Sequence, residues 1–188
     1  MKYLLRSWVH RLFSARSART IRRSPALQVE ALEDRTTPSF VGVKMIEIAP
    51  GSAASNPAYF TEVNGIVYFA ATDSSGDREL WRTDGTASGT YRLRDINPGS
   101  SSSNPRDLIS LNGELYFSAF RSDIGRELWR YNPATDTLTF SDIFQGSFAS
   151  RPFSSSPSSF AILNGYLYFN AENGTFAGRE LFRYDPST

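Results

Sequence analysis

Asn-Gly occurs at 64–65, 112–113 and 164–165, spaced by 48 and then 52 residues. Close behind each pair comes an aromatic-rich run: Ile66-Val67-Tyr68-Phe69, Leu115-Tyr116-Phe117 and Leu167-Tyr168-Phe169. A glutamate stands fifteen or sixteen residues beyond each Asn, inside the block Arg-Glu-Leu-Trp/Phe-Arg at 78–82, 126–130 and 179–183. Pro57, Pro105 and Pro157 each lie seven residues ahead of the Asn-Gly pair. Upstream, Glu47-Ile48, Asp95-Ile96 and Asp142-Ile143 precede Pro50-Gly51-Ser52, Pro98-Gly99-Ser100 and Gln145-Gly146-Ser147. Chance does not align so many positions. The chain is a threefold repeat with small insertions, and its fold must be one unit built three times.

Each unit reads as four short strands. Asn-Gly accepts the positive φ values of a type I′ turn and so marks a tight hairpin. In the second copy the strands are expected near 106–111, 114–120, 126–131 and 137–143, with a turn at Asn132-Pro133. Strand two alternates Leu115, Phe117 and Ala119 against Glu114, Tyr116 and Ser118, which predicts one apolar face. A four-stranded antiparallel meander repeated at about this period is the signature of a β-propeller blade. The expected fold is therefore all-β: three propeller-type blades over 39–188, at about 49–96, 97–143 and 144–188, with a strand at 41–48 completing a blade. Propellers typically close with about 4–8 blades. A partial or truncated propeller, a fragment of a longer array, is the first expectation, and a homodimer closing a six-bladed ring by exchange of the N-terminal strand is the second.

The first copy resembles the bacterial ELWxxDGT repeat family. Glu79-Leu80-Trp81-Arg82-Thr83-Asp84-Gly85-Thr86 matches the motif at every position, and Gly89-Thr90 and Asp95-Ile96-Asn97-Pro98-Gly99-Ser100 complete the unit. The second copy keeps Glu127 and Trp129 but has Asn132-Pro133-Ala134-Thr135 for Asp-Gly-Thr; the third has Glu180 and Phe182. Those departures look more like kelch blades. The resemblance implies architecture and a surface location, and it transfers no catalytic residue. The signature residues Glu79, Trp81, Asp84, Gly85, Thr86, Glu127, Trp129, Glu180 and Phe182 are thus expected to be structural. So are the turns Asn64-Gly65, Asn112-Gly113 and Asn164-Gly165.

Charge divides the chain. The whole carries 20 basic and 19 acidic residues. Residues 1–35 hold eight of the basic ones against three acidic, whereas 36–188 are net acidic. Residues 1–38 are expected to be a basic, mostly disordered leader, in which Leu4, Leu5, Trp8 and Leu12 would share one side of a helix. The stretch Val29-Glu30-Ala31-Leu32-Glu33-Asp34-Arg35-Thr36-Thr37-Pro38-Ser39 resembles the LE-x-R signature that follows arginine-rich leaders in bacterial cell-surface proteins, which implies export. No run of 18 apolar residues offers a membrane span.

With no cysteine and a single histidine, His10, the chain cannot assemble a thiolate site, a Ser-His-Asp triad or a multi-histidine metal centre. The repeated Arg-Glu pairs are the most conspicuous ionisable groups. A catalytic carboxylate is needed once and a structural one in every unit, so each Glu is expected to accept hydrogen bonds from turn amides and lock one blade to the next. The Asp73–Asp77 and Asp84-Gly85-Thr86 turns offer oxygen ligands but lack EF-hand spacing. The expected role is a non-catalytic module that binds a protein or glycan through rim loops, with no cofactor, metal or specific nucleic acid. The competing classes are a carbohydrate-active enzyme using acidic and tyrosine residues, and a non-functional fragment.

Overall fold

The structure is a computed structural model that describes residues 44–174 and 178–187. The expected leader, its LE-x-R stretch and positions 41–43 of the expected opening strand lie outside the described residues. Residues 44–48 of that strand are coil ending in a bend.

All thirteen described elements are β-strands. In the first unit β1 (Ala58–Val63), β2 (Ile66–Thr72), β3 (Arg78–Thr83) and β4 (Tyr91–Arg94) form a sheet in the order β1-β2-β3-β4. In the second, β5 (Arg106–Leu111), β6 (Glu114–Arg121), β7 (Gly125–Asn132) and β8 (Thr137–Ser141) repeat that order. A two-stranded ribbon, β9 (Ser147–Phe148) with β10 (Arg151–Pro152), occupies the loop that follows. The third sheet has three strands: β11 (Ser158–Leu163), β12 (Tyr166–Glu172) and β13 (Arg179–Tyr184). Every pairing is antiparallel.

The hairpins close where the dipeptides predict. Asn64, Asn112 and Asn164 have φ of 52°, 53° and 52°, and each following glycine is also positive. Each first strand carries the same register shift, at Ala58/Thr61, Arg106/Ile109 and Ser158/Ala161. Tyr59, Asp107 and Ser159 bend it with φ of 60°, 55° and 61°. No glycine marks these bulges.

Neighbouring sheets pack face to face, so the middle one is buried on both sides. Val63, Tyr68 and Leu80 of the first sheet meet Leu115, Phe117, Ala119 and Trp129 of the second in one core cluster. Leu111, Tyr116 and Leu128, on the other side of the second sheet, meet Leu167, Phe169 and Ala171 of the third. We call the side of each sheet that meets the following unit its trailing face, and the opposite side its leading face. Strand β6 is therefore buried along both sides from Glu114 to Ala119. The alternation in its sequence marks two different neighbours, and Tyr116 is as buried as Phe117.

Candidate functional site

The Arg-Glu pair sits at the start of β3 and β7, facing the chain that runs on to the next unit. Glu79 is fully buried. Its Oε1 accepts from the Ser103 amide at 2.7 Å, and its Oε2 from the Ile96 amide at 3.0 Å and from Ser103 Oγ at 2.5 Å. Glu127 takes the same set: Ser155 N at 2.8 Å, Ile143 N at 3.0 Å and Ser155 Oγ at 2.5 Å. Burial pushes both carboxyls up from the ordinary glutamate value, and the donated hydrogen bonds oppose it.

The neighbouring arginine extends this clasp with its backbone. Arg78 N donates to Ser102 Oγ at 2.8 Å and Arg78 O accepts from Asn104 N at 3.1 Å. Arg126 repeats both contacts with Ser154 and Ser156, at 2.9 Å each. The guanidiniums turn the other way and bond the residue before each unit's own proline, from Arg78 to Asn56 O, Arg126 to Asn104 O and Arg179 to Ser156 O. One dipeptide thus anchors the incoming and the outgoing linker together.

Glu180 has no such set; it is exposed, as β13 is over most of its length. The other signature residues divide similarly. Trp129 is buried, donates to Ala119 O at 3.0 Å and tilts against Phe140. Trp81 is buried with Phe69 and Ala71, and its Nε1 finds no partner among the described residues. Phe182 is half-buried and stacks on Phe169 at 5.7 Å. Asp84 Oδ1 accepts from Thr86 N at 2.9 Å and from its Oγ at 2.7 Å, with Gly85 at φ 90° between them. Asn64 Nδ2 donates to Gly113 O at 3.3 Å, so the hairpins at Asn64-Gly65 and Asn112-Gly113 touch. Asn164-Gly165 forms the third hairpin turn.

Sequence reasoning missed a second buried network. Glu114 accepts from Arg130 Nε at 2.5 Å and Nη2 at 2.7 Å, from Asn132 Nδ2 at 2.6 Å and from Tyr116 Oη at 3.0 Å. The Arg130 hydrogen bonds hold its carboxyl below the ordinary glutamate range. Only the second unit has a glutamate directly after Asn-Gly, a difference visible in the repeat alignment.

Of the open clefts among the described residues, two have both arginine and aromatic side chains in their walls. One, about 400 Å³, is lined by Asn56, Tyr59, Asn104, Arg78, Arg106 and Arg126 where the first two units adjoin, and none of its lining residues is acidic. Asp107 Oδ2 lies 3.9 Å from Arg106 Nε. Burial, with the nearby Arg106 charge, lowers the Arg126 pKa to about 10. The other cleft, about 470 Å³, has Trp129, Phe140, Asp95 and Thr139 in its wall. Arg121 lies 4.7 Å from the centre of the Phe140 ring and 5.3 Å from that of Trp129, so both aromatic faces already carry a cation.

Asp77, Glu79 and Asp95 bring carboxylate oxygens within 4.8 Å of one another. Arg92 pairs with Asp77 Oδ2 at 2.9 Å and Glu79 accepts the three bonds of the clasp, while Asp77 Oδ1 is buried without a hydrogen-bond partner among the described residues. Among the described residues no helix is long and apolar enough to cross a membrane. Set against known proteins, the chain matches no family profile and no curated sequence.

Proposed function

We propose that the repeat region is a non-catalytic, β-propeller-type binding module, exported to a bacterial cell surface or the exterior, that takes an anionic group of a glycan or protein partner through loops at one rim. Threefold face-to-face stacking with identical turns and bulges supports the propeller-type reading. The arginine-lined cleft between the first two units carries the ligand reading. Arg78, Arg106 and Arg126 line it with a single carboxylate, Asp107, beside Arg106, and an anion entering it would offset the remaining positive charge.

Catalysis by the repeated glutamates is the weaker reading. Glycoside hydrolysis needs two carboxyl groups about 5–10 Å apart beside the scissile bond. Glu79 and Glu127 are buried, and every bond they accept fixes a linker.

The test titrates the full chain with polygalacturonate and with neutral dextran, while assaying release of reducing ends. The basic leader binds polyanions by itself, so the deciding comparison is Arg106→Glu in an otherwise unchanged chain. Expected are saturable binding of the acidic polymer, at least about tenfold weakening in the variant, and no new reducing ends. Turnover, or equal binding of both polymers, overturns the proposal.

A further inference from the structure

Two half-joints in this chain lack their counterparts among the described residues. At the start of β13 no described residue donates to the Glu180 carboxylate, and on the trailing face Leu163 and Leu181 are 58% and 76% exposed. The matching Val63 and Leu80 of the first sheet are 1% and 0% exposed. Among the described residues β13 pairs only with β12, so no described strand takes the edge that β4 and β8 cover in the other sheets. Ahead of the first sheet stands the opposite half. Ile48 N and the Ser55 amide and hydroxyl occupy the places of Ile96 and Ser103 but find no acceptor among the described residues. Pro57 is exposed where Pro105 and Pro157 are buried, and Met45, at the position of the buried Leu93, is 83% exposed.

We infer that residues 44–57 of a second copy of this chain complete the third sheet. Lys44 to Glu47 add to β13 as its fourth antiparallel strand. Met45 packs on the trailing face, as Leu93 does in the first unit. Ile48 N, Ser55 N and Ser55 Oγ donate to Glu180, and Asn56 N donates to Arg179 O, repeating both internal joints. Each copy owns one half of each kind, so reciprocal exchange about a two-fold axis leaves no half unused. Ala54 stands where Ser102 and Ser154 accept from the arginine amide. This joint therefore has one bond fewer than the internal ones and is the dissociable one. The inference stands on the internal joints and is independent of what the clefts bind.

Light scattering on the full chain at concentrations up to about 100 μM is expected to give twice the monomer mass. Glu180→Lys sets an ammonium against amide donors, and Ser55→Asp sets a carboxylate against Glu180; each alone should weaken the dimer at least about tenfold. An equimolar mixture of the two should restore it, because one joint is then native and the other pairs opposite charges. Both residues lie outside the internal joints, so the monomer's melting temperature should hold. Leu181→Asp, on an equally accessible side chain, is the independent check and should also dissociate the dimer. A monomer at every concentration, a dimer indifferent to all three substitutions, or no restoration on mixing overturns the inference.

Discussion

One glutamate occurs three times in the same sequence context, yet its energetic weight differs from copy to copy. Glu79 and Glu127 each satisfy two amides and a hydroxyl. A glutamine offers one acceptor oxygen and turns two more donors toward existing donors. Hydrogen bonds to a charged group contribute about 1.5–3 kcal/mol each, and an orphaned buried donor costs about 1–3. Glu79→Gln or Glu127→Gln is expected to cost about 2–3 kcal/mol in urea denaturation at low protein concentration. Glu180→Gln should stay within about 0.5 kcal/mol under the same conditions. Acid should act through a different residue. Glu114 has its pKa lowered by Arg130, so it contributes stability above the ordinary glutamate value that is lost as pH falls through the lowered one. The melting-temperature gap between wild type and Glu114→Gln should be widest near neutrality and shrink below about pH 4. Glu79 and Glu127, raised by burial, have the opposite sign: their linkage opposes the fold as pH rises through the raised value. They therefore do not drive acid unfolding.

At the scale of the element, the Asn-Gly hairpins were readable because the dipeptide itself tolerates the backbone they need. The first-strand bulges were not, since Tyr59, Asp107 and Ser159 share no such property, and only the pairing with the second strand imposes their positive φ. The β9–β10 ribbon arises in the inserted loop, where the repeat offers no template. Glycines separate the same way. A Cβ at Gly113 has only the Asn64 side-chain amide nearby, at 3.4 Å, so Gly113→Ala meets mainly the left-handed backbone penalty of about 1–2 kcal/mol. At Gly125, with φ of 81°, a Cβ would fall 2.0 Å from Phe153 O, a backbone atom of the following linker. Gly125→Ala should therefore lower the denaturation midpoint clearly more than Gly113→Ala. Equal midpoints would refute close packing of that linker on the turn at Gly125.

Across the whole molecule, position in the stack decides burial. Leu80, Leu128 and Leu181 share the Arg-Glu-Leu block but are 0%, 2% and 76% exposed, a difference of about 1.5–3 kcal/mol for a leucine side chain. Strand β6, enclosed by both neighbouring sheets, should exchange its amide hydrogens only through global unfolding. Strand β13, whose outer edge no described strand pairs, should exchange much faster in dilute solution, as hydrogen-exchange mass spectrometry of the peptides spanning each strand can read. Slow exchange at β13 in dilute Glu180→Lys protein would mean that something other than a second copy covers that edge.

The sequence by itself determined the unit: its period, its hairpin turns, the order of its strands and the all-β class. These follow from short-range preferences, in which a turn dipeptide or a run of aromatic and branched residues acts on its own few neighbours. Tertiary structure decided the rest. It turned an alternating strand into one buried on both sides, closed three arginines around a cleft from two separate units, and gave Glu79 and Glu127 their donors from linkers 16 to 28 residues away while leaving Glu180 with none among the described residues. Burial and hydrogen-bond satisfaction depend on which surface arrives from elsewhere in the chain, and three copies of one motif carry no mark of which copy will be met by a neighbour.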